Sequence, residues 1–167
     1  MTYAKEYSTN ELMGAIVARQ IRNNDVTFIG VGIPLIAGIV AVATHAQDCV
    51  LIYEGGGIGA RARRAPWTIS DNPTTDNAIA SVQMWRVFSD QQRGLITLGI
   101  IGGAEIDPFG NLNTTVILGD GYTYARPKIR LPGSGGANDI ASSAGRTVIM
   151  MRLQKGKFVK KLHHITS

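Results

Sequence analysis

Residues 51 to 67, LIYEGGGIGARARRAPW, set a carboxylate, Glu54, between an apolar strand-like run and three consecutive glycines, with Arg61, Arg63 and Arg64 close behind. Three kinds of chemistry fit these residue types. In a dinucleotide fold, glycines after the first strand take the phosphates, and an acid ending the second strand roughly 20 residues later binds a ribose hydroxyl. Gly30-Val31-Gly32 and Glu54 meet that spacing, but Leu35, behind Pro34, stands where the helix-packing glycine is expected. A second reading has Glu54 ending its strand in solvent, paired with one of the three arginines. In the third it is a covalent nucleophile. A carboxylate that attacks a thioester forms a mixed anhydride, which needs an ionised, positioned acid beside backbone donors for the tetrahedral oxyanion. Three glycines beyond Glu54 would let a substrate carbonyl approach, and GSGGAND, 133 to 139, would supply donors if a helix starts within it.

These residues need a scaffold, and the hydrophobic pattern outlines one. Ser8-Thr9-Asn10-Glu11 is a capping box, and Met13, Ile16, Val17 and Ile21 follow at helical spacing up to Asn23-Asn24. VTFIGVG, 26 to 32, reads as a strand ending in glycines, and PLIAGIVAVATHA as a helix with Pro34 in its first turn. CVLIYE is a continuous apolar strand of the kind buried on both faces. TISDNPTTDN reads as loop, with a short helix after it over 81 to 88. GLITLGII, 94 to 101, is a third buried strand; Pro108-Phe109-Gly110-Asn111 turns between two extended pieces; RTVIMMRL, 146 to 153, is a further strand. Alternation of strand and helix predicts an α/β domain, with a mostly parallel sheet flanked by helices, spanning 1–167. Ligands of such sheets bind outside the carboxyl ends of the strands, where this chain concentrates glycine: Gly30 and Gly32, Gly55 to Gly57, Gly102 and Gly103, Gly133, Gly135 and Gly136.

Composition narrows the function classes. With 44% hydrophobic and 17% charged residues, the 167-residue chain is far from the disordered class, and its apolar surplus is compatible with a surface given over to a partner. The net charge of +5 comes largely from Arg152, Lys155, Lys157, Lys160 and Lys161 and from Arg61, Arg63 and Arg64. Neither cluster has the interleaved aromatics or groove-reading motif of a nucleic-acid binder, and the tail reads as a solvated face. Cys49 is the single cysteine, so no disulfide framework exists and a reducing cytoplasm is the expected compartment. The apolar run from Ile33 to Ala43 is too short and glycine-rich to span a bilayer, and no residue set suggests a metal.

Four ordered segments, VGIPLIA (31 to 37), YEGG (53 to 56), IGGAEIDPFGNLN (101 to 113) and LPGSGGANDIA (131 to 141), followed by IMM (149 to 151), carry a family resemblance. The chain resembles the B (beta) subunit of class I coenzyme A transferases, of the glutaconate CoA-transferase type. The resemblance implies a NagB/RpiA/CoA-transferase-like fold and ping-pong transfer of CoA between carboxylic acids, with Glu54 at the position of the nucleophilic glutamate. It places the loop Gly135, Gly136 and Ala137 beside the thioester, and Gly102, Gly103 and Ala104 around the site. Gly30, Gly32, Gly55, Gly56 and Arg61 are candidates for binding substrate or CoA, Arg61 through a distal carboxylate or a phosphate. Coenzyme A would be a substrate, with no cofactor; the partners implied are an acyl-CoA, a carboxylic acid, with dicarboxylates among the candidates, and an alpha subunit. Relatives continue past the residue matching Ser167, so a C-terminal segment of the family is expected to be absent. Hydrolysis, decarboxylation or ring opening of a CoA ester on the same scaffold, or a non-catalytic role beside a CoA enzyme, are the alternatives.

Overall fold

The computed structural model describes residues 4–30 and 32–167; Val31 and residues 1–3, which the readings above include, lie outside them. Helix α1 (Thr9–Ala18) opens as its capping box dictates. Ser8 Oγ accepts from the Glu11 N–H, and the Glu11 carboxylate accepts from the Ser8 N–H at 2.7 Å. The helix stops short of the predicted Asn23-Asn24. Gln20 and Ile21 donate to the carbonyls of Val17 and Ala18, so a tight turn, not a further helical turn, carries Ile21 into the core.

Strand β1 (Val26–Ile29) leads through helix α2 (Ile33–Thr44), with Pro34 in its first turn, to β2 (Val50–Tyr53). The two strands pair in parallel with Ile29 opposite Tyr53, and continuing that register places Glu54 beside Gly30. From Gly56 the chain turns back. Strand β3 (Gly57–Ile58) runs antiparallel to β2, and β4 (Ala80–Ser81) antiparallel to β3, a meander absent from the sequence reading. Between them, the polar stretch predicted as loop holds a 3₁₀ turn at Asn72–Thr74.

Helix α3 (Met84–Gln92) then leads to β5 (Leu98–Ile101), which pairs in parallel with β1. The predicted turn closes the hairpin of β6 (Glu105–Ile106) and β7 (Leu112–Asn113): Asp107 Oδ1 accepts from the N–H groups of Phe109 and Asn111 at 2.9 and 3.0 Å. A second hairpin joins β8 (Val116–Ile117) to β9 (Ile129–Arg130). Helix α4 (Ala137–Ser143) does start within GSGGAND, and β10 (Arg146–Ile149), shorter than predicted, completes the parallel set against β5.

The main sheet has the order β10-β5-β1-β2-β3-β4, parallel through its first four strands. Alternation along the strands builds two cores. Ile29, Leu51, Tyr53, Leu98 and Ile100 pack with residues of α1 and α2, while Phe28, Ile52 and Ile101 pack with Val87 of α3 and Ile140 of α4. Helices therefore cover both faces, as the fold class requires. Gly99 is one reason α4 sits so close: a Cβ there would lie 2.3 Å from Ile140 Cγ2.

Candidate active site

The chain leaves β1 on one side for β2, through α2 on the first face, and arrives on its other side as β5, after α3 on the second face. Adjacent strands with oppositely directed connections part at their carboxyl ends, and a crevice opens there. In this protein that crevice is a cleft of about 450 Å³. It is lined by Phe28, Gly30 and Ile101 of the strand ends, by Glu54, by Gly102, Gly103 and Ala104, and by the segment Leu131 to Ala137 with Ile140. Thr114 and Lys157 complete the lining.

Glu54 is half-buried, and among the described residues its carboxylate makes no hydrogen bond or ion pair. Burial alone pushes its pKa above the ordinary glutamate value, since no favourable charge or donor compensates the loss of water. Such a carboxylate is a better base, and hence a better nucleophile, than one in water. Gly136 lies directly against it: a Cβ on that glycine would sit 3.5 Å from Glu54 Oε1 and 2.6 Å from the ring of Phe88. The N–H of Ala137 donates to Ser134 O at 2.8 Å, whereas those of Gly135 and Gly136 have no protein acceptor among the described residues. Those two N–H groups are therefore unpaired beside the Glu54 carboxylate.

The cleft gathers Gly30, Glu54, Gly102, Gly103, Ala104, Gly135, Gly136 and Ala137 from the residues singled out in the sequence. Gly32, Gly55, Gly56 and Arg61 are not part of its lining. Gly32, with φ of +96°, is the residue before α2. Gly55, Gly56 and Gly57 face backbone instead of open space: a Cβ on them would lie 2.1 Å from Ile69 O, 1.8 Å from Val82 O and 1.7 Å from Thr74 O. They let the 69–82 segment fold onto the end of β2, which is a different task from giving room to a substrate. Arg61 donates to Gln47 O at 2.6 Å and borders a separate small cavity with Leu51 and Tyr53; Arg64 pairs with Asp71 through two hydrogen bonds of 2.8 and 3.0 Å. No arginine of the cluster forms an ion pair with Glu54 among the described residues, so the reading of Glu54 as a salt-bridged strand end finds no partner. Sequence reasoning misses Phe28, Thr114, Leu131, Pro132 and Lys157 as site residues, and it assigns Lys157 to a solvated basic tail.

A family model described as coenzyme A transferase matches residues 10–167. The chain belongs to the coenzyme A transferase family. It is 44% identical to the B subunit of 3-oxoadipate CoA-transferase from Pseudomonas knackmussii over 164 residues, covering 96% of this chain and 61% of that protein. The B subunit of glutaconate CoA-transferase from Acidaminococcus fermentans is 35% identical over 166 residues, covering 96% of this chain and 60% of that one. The crystal structure of glutaconate CoA-transferase from the same organism superposes with a TM-score of 0.88 at 33% identity, over 99% of this chain and 64% of that one. The chain thus spans about three fifths of the length of these two curated relatives. Among the described residues no helix is long and apolar enough to cross a membrane.

Proposed function

We propose that the chain is the glutamate-bearing subunit of an enzyme that moves CoA from an acyl-CoA to a carboxylic acid through covalent intermediates on Glu54. The observation that carries this reading is an unpartnered, desolvated carboxylate at the end of a strand, in a largely apolar cleft beside a glycine loop whose Gly135 and Gly136 N–H groups have no protein acceptor among the described residues. In the first step the carboxylate attacks the thioester carbonyl. Charge moves to the carbonyl oxygen, where the Gly135 and Gly136 N–H groups would receive it, and collapse expels CoA thiolate to leave an acyl-glutamyl anhydride. The thiolate then attacks the glutamyl carbonyl, releasing the first acid as its carboxylate and leaving a glutamyl-CoA thioester. An incoming carboxylate reverses the sequence: it forms a new anhydride with loss of thiolate, and thiolate takes the acyl group and frees Glu54. Binding energy from the CoA moiety offsets the cost of the anhydride.

The two curated relatives described above are B subunits by name, and we assign this chain an alpha subunit as partner. Large apolar side chains on its surface, Trp67, Trp85 and Phe109 among them, support a protein-covered face. The test is to incubate the chain with that partner and an acyl-CoA, without acceptor acid, then trap with borohydride or hydroxylamine. Modification at Glu54 that disappears in Glu54→Gln is the expected result. Release of free acid and CoA with no adduct would replace transfer with hydrolysis.

A further inference from the structure

Among the described residues, Glu54 and Lys157 are the two charged side chains that line the cleft. Lys157 is half-buried, and among the described residues its ammonium has no carboxylate partner and no hydrogen bond to protein. Its backbone, by contrast, is held firmly: its carbonyl accepts from the Ile106 N–H at 2.8 Å, and Val159 N–H donates back to Ile106 O at 2.9 Å. The segment is therefore docked on β6, the strand whose other edge pairs with β7, and Thr114 follows β7 directly. Thr114 and Lys157 thus reach the cleft from either side of β6; the Thr114 hydroxyl is sealed off from solvent, so the Lys157 ammonium is the charge that a ligand meets on this side. Lys157 therefore brings an unpaired positive charge to a largely apolar cleft. Glu54 does not neutralise it: among the described residues no ion pair joins the two, and burial is the cause of the raised Glu54 pKa.

We infer that Lys157 is a specificity residue that holds the second carboxylate of a dicarboxylic substrate acid while its reacting end lies at Glu54. The inference rests on the reading of Glu54 as the site of acyl transfer. The chemistry is consistent at both ends. A thioester carbonyl is neutral and can approach an anionic nucleophile, whereas a second carboxylate must lie where positive charge is fixed. The cleft volume of about 450 Å³ suits an acid of that size, and a lysine ammonium selects charge without demanding the planar geometry of a guanidinium.

The experiment measures binding rather than turnover. A free diacid would place its near carboxylate against that of Glu54, so the background is Glu54→Gln. The dissociation constants of glutarate and pentanoate are compared by NMR titration in that background, with and without Lys157→Met or Lys157→Arg. Expected is a preference for glutarate of about tenfold, the scale of one hydrogen-bonded charge pair. Lys157→Met should abolish it while leaving pentanoate binding unchanged, and Lys157→Arg should restore most of it. Equal affinity for the two acids, or a preference that survives Lys157→Met, overturns the inference. CoA binding to the same variants is expected to be unchanged; a loss in Lys157→Met would assign the cation to a phosphate and also overturn it. If glutarate selectivity depends on Lys157 yet Glu54 traps no acyl group, the inference about recognition stands and acyl transfer is what fails.

Discussion

Replacing Gly56 by alanine tests what the triplet after Glu54 is for. Gly56 has φ of +111°, and an added Cβ would lie 1.8 Å from Val82 O, a backbone atom that no rotamer change can move. Gly133 provides a matched control, with φ of +100° and no atom within 4 Å of an added methyl group. Both substitutions pay the conformational cost of a side chain at positive φ, about 1–2 kcal/mol. Only Gly56→Ala adds overpacking, typically ~1–3 kcal/mol where the backbone must shift. The expected destabilisation is therefore about 2–5 kcal/mol for Gly56→Ala against ~1–2 kcal/mol for Gly133→Ala, a large share of the stability of an ordinary domain. Urea titration followed by far-UV circular dichroism reads the difference as a lower midpoint at unchanged slope. If the triplet instead provides room for a thioester, the two variants will be equally stable and Gly56→Ala will lose only acyl transfer. That outcome would refute the argument from close backbone approach.

Other consequences follow from the same contacts. Burial raises the Glu54 pKa, so its neutral form suits the fold better than its ionised form; the associated stability is present below the ordinary glutamate value and lost as pH rises through the raised one. Glu54→Gln should accordingly raise the urea midpoint at neutral pH and lose that advantage below about pH 4, while the acid limb of the acyl-transfer rate in the unsubstituted protein should lie above the ordinary carboxylate range. Asp25 behaves oppositely. Burial pushes its pKa up, but donors from the Arg22 N–H, the Thr97 hydroxyl and Arg146, the last at 2.7 Å, outweigh burial and hold it below the usual range. Its stabilisation is present above the unfolded value and lost as pH falls through the lowered one, so Asp25→Asn should flatten the acid side of the urea-midpoint profile, and Arg146→Met should cost about 1–3 kcal/mol at neutral pH. Cys49 is fully buried, its thiol pushed up by burial and in contact with the Thr27 hydroxyl at 3.3 Å; Ellman's reagent should label it only after denaturant is added.

Elements governed by local rules were legible in the chain itself. The capping box starts α1, Pro34 falls in the first turn of α2, and the Pro108 to Asn111 turn closes a hairpin, because each depends on groups a few residues apart. The parallel strands were recognisable because burial on both faces leaves a continuous apolar run. The β3–β4 meander was not, since two-residue strands carry no period and their pairing depends on close approach of segments some 20 residues apart.

The site divides along the same line. Residue type, strand-end position and family resemblance single out Glu54 and the glycines at 102, 103, 135 and 136, and one cleft contains them all. The roles of Gly55 to Gly57 and of Arg61 required the fold, because a glycine's reason lies in the atoms that would meet its absent Cβ and an arginine's in the carbonyl its side chain reaches. Lys157 is the clearest case. In the chain it is one of several lysines in a basic stretch, indistinguishable by type or spacing; pairing of its backbone with β6 carries that one side chain to the mouth of a strand-end crevice more than a hundred residues away from Glu54 in sequence.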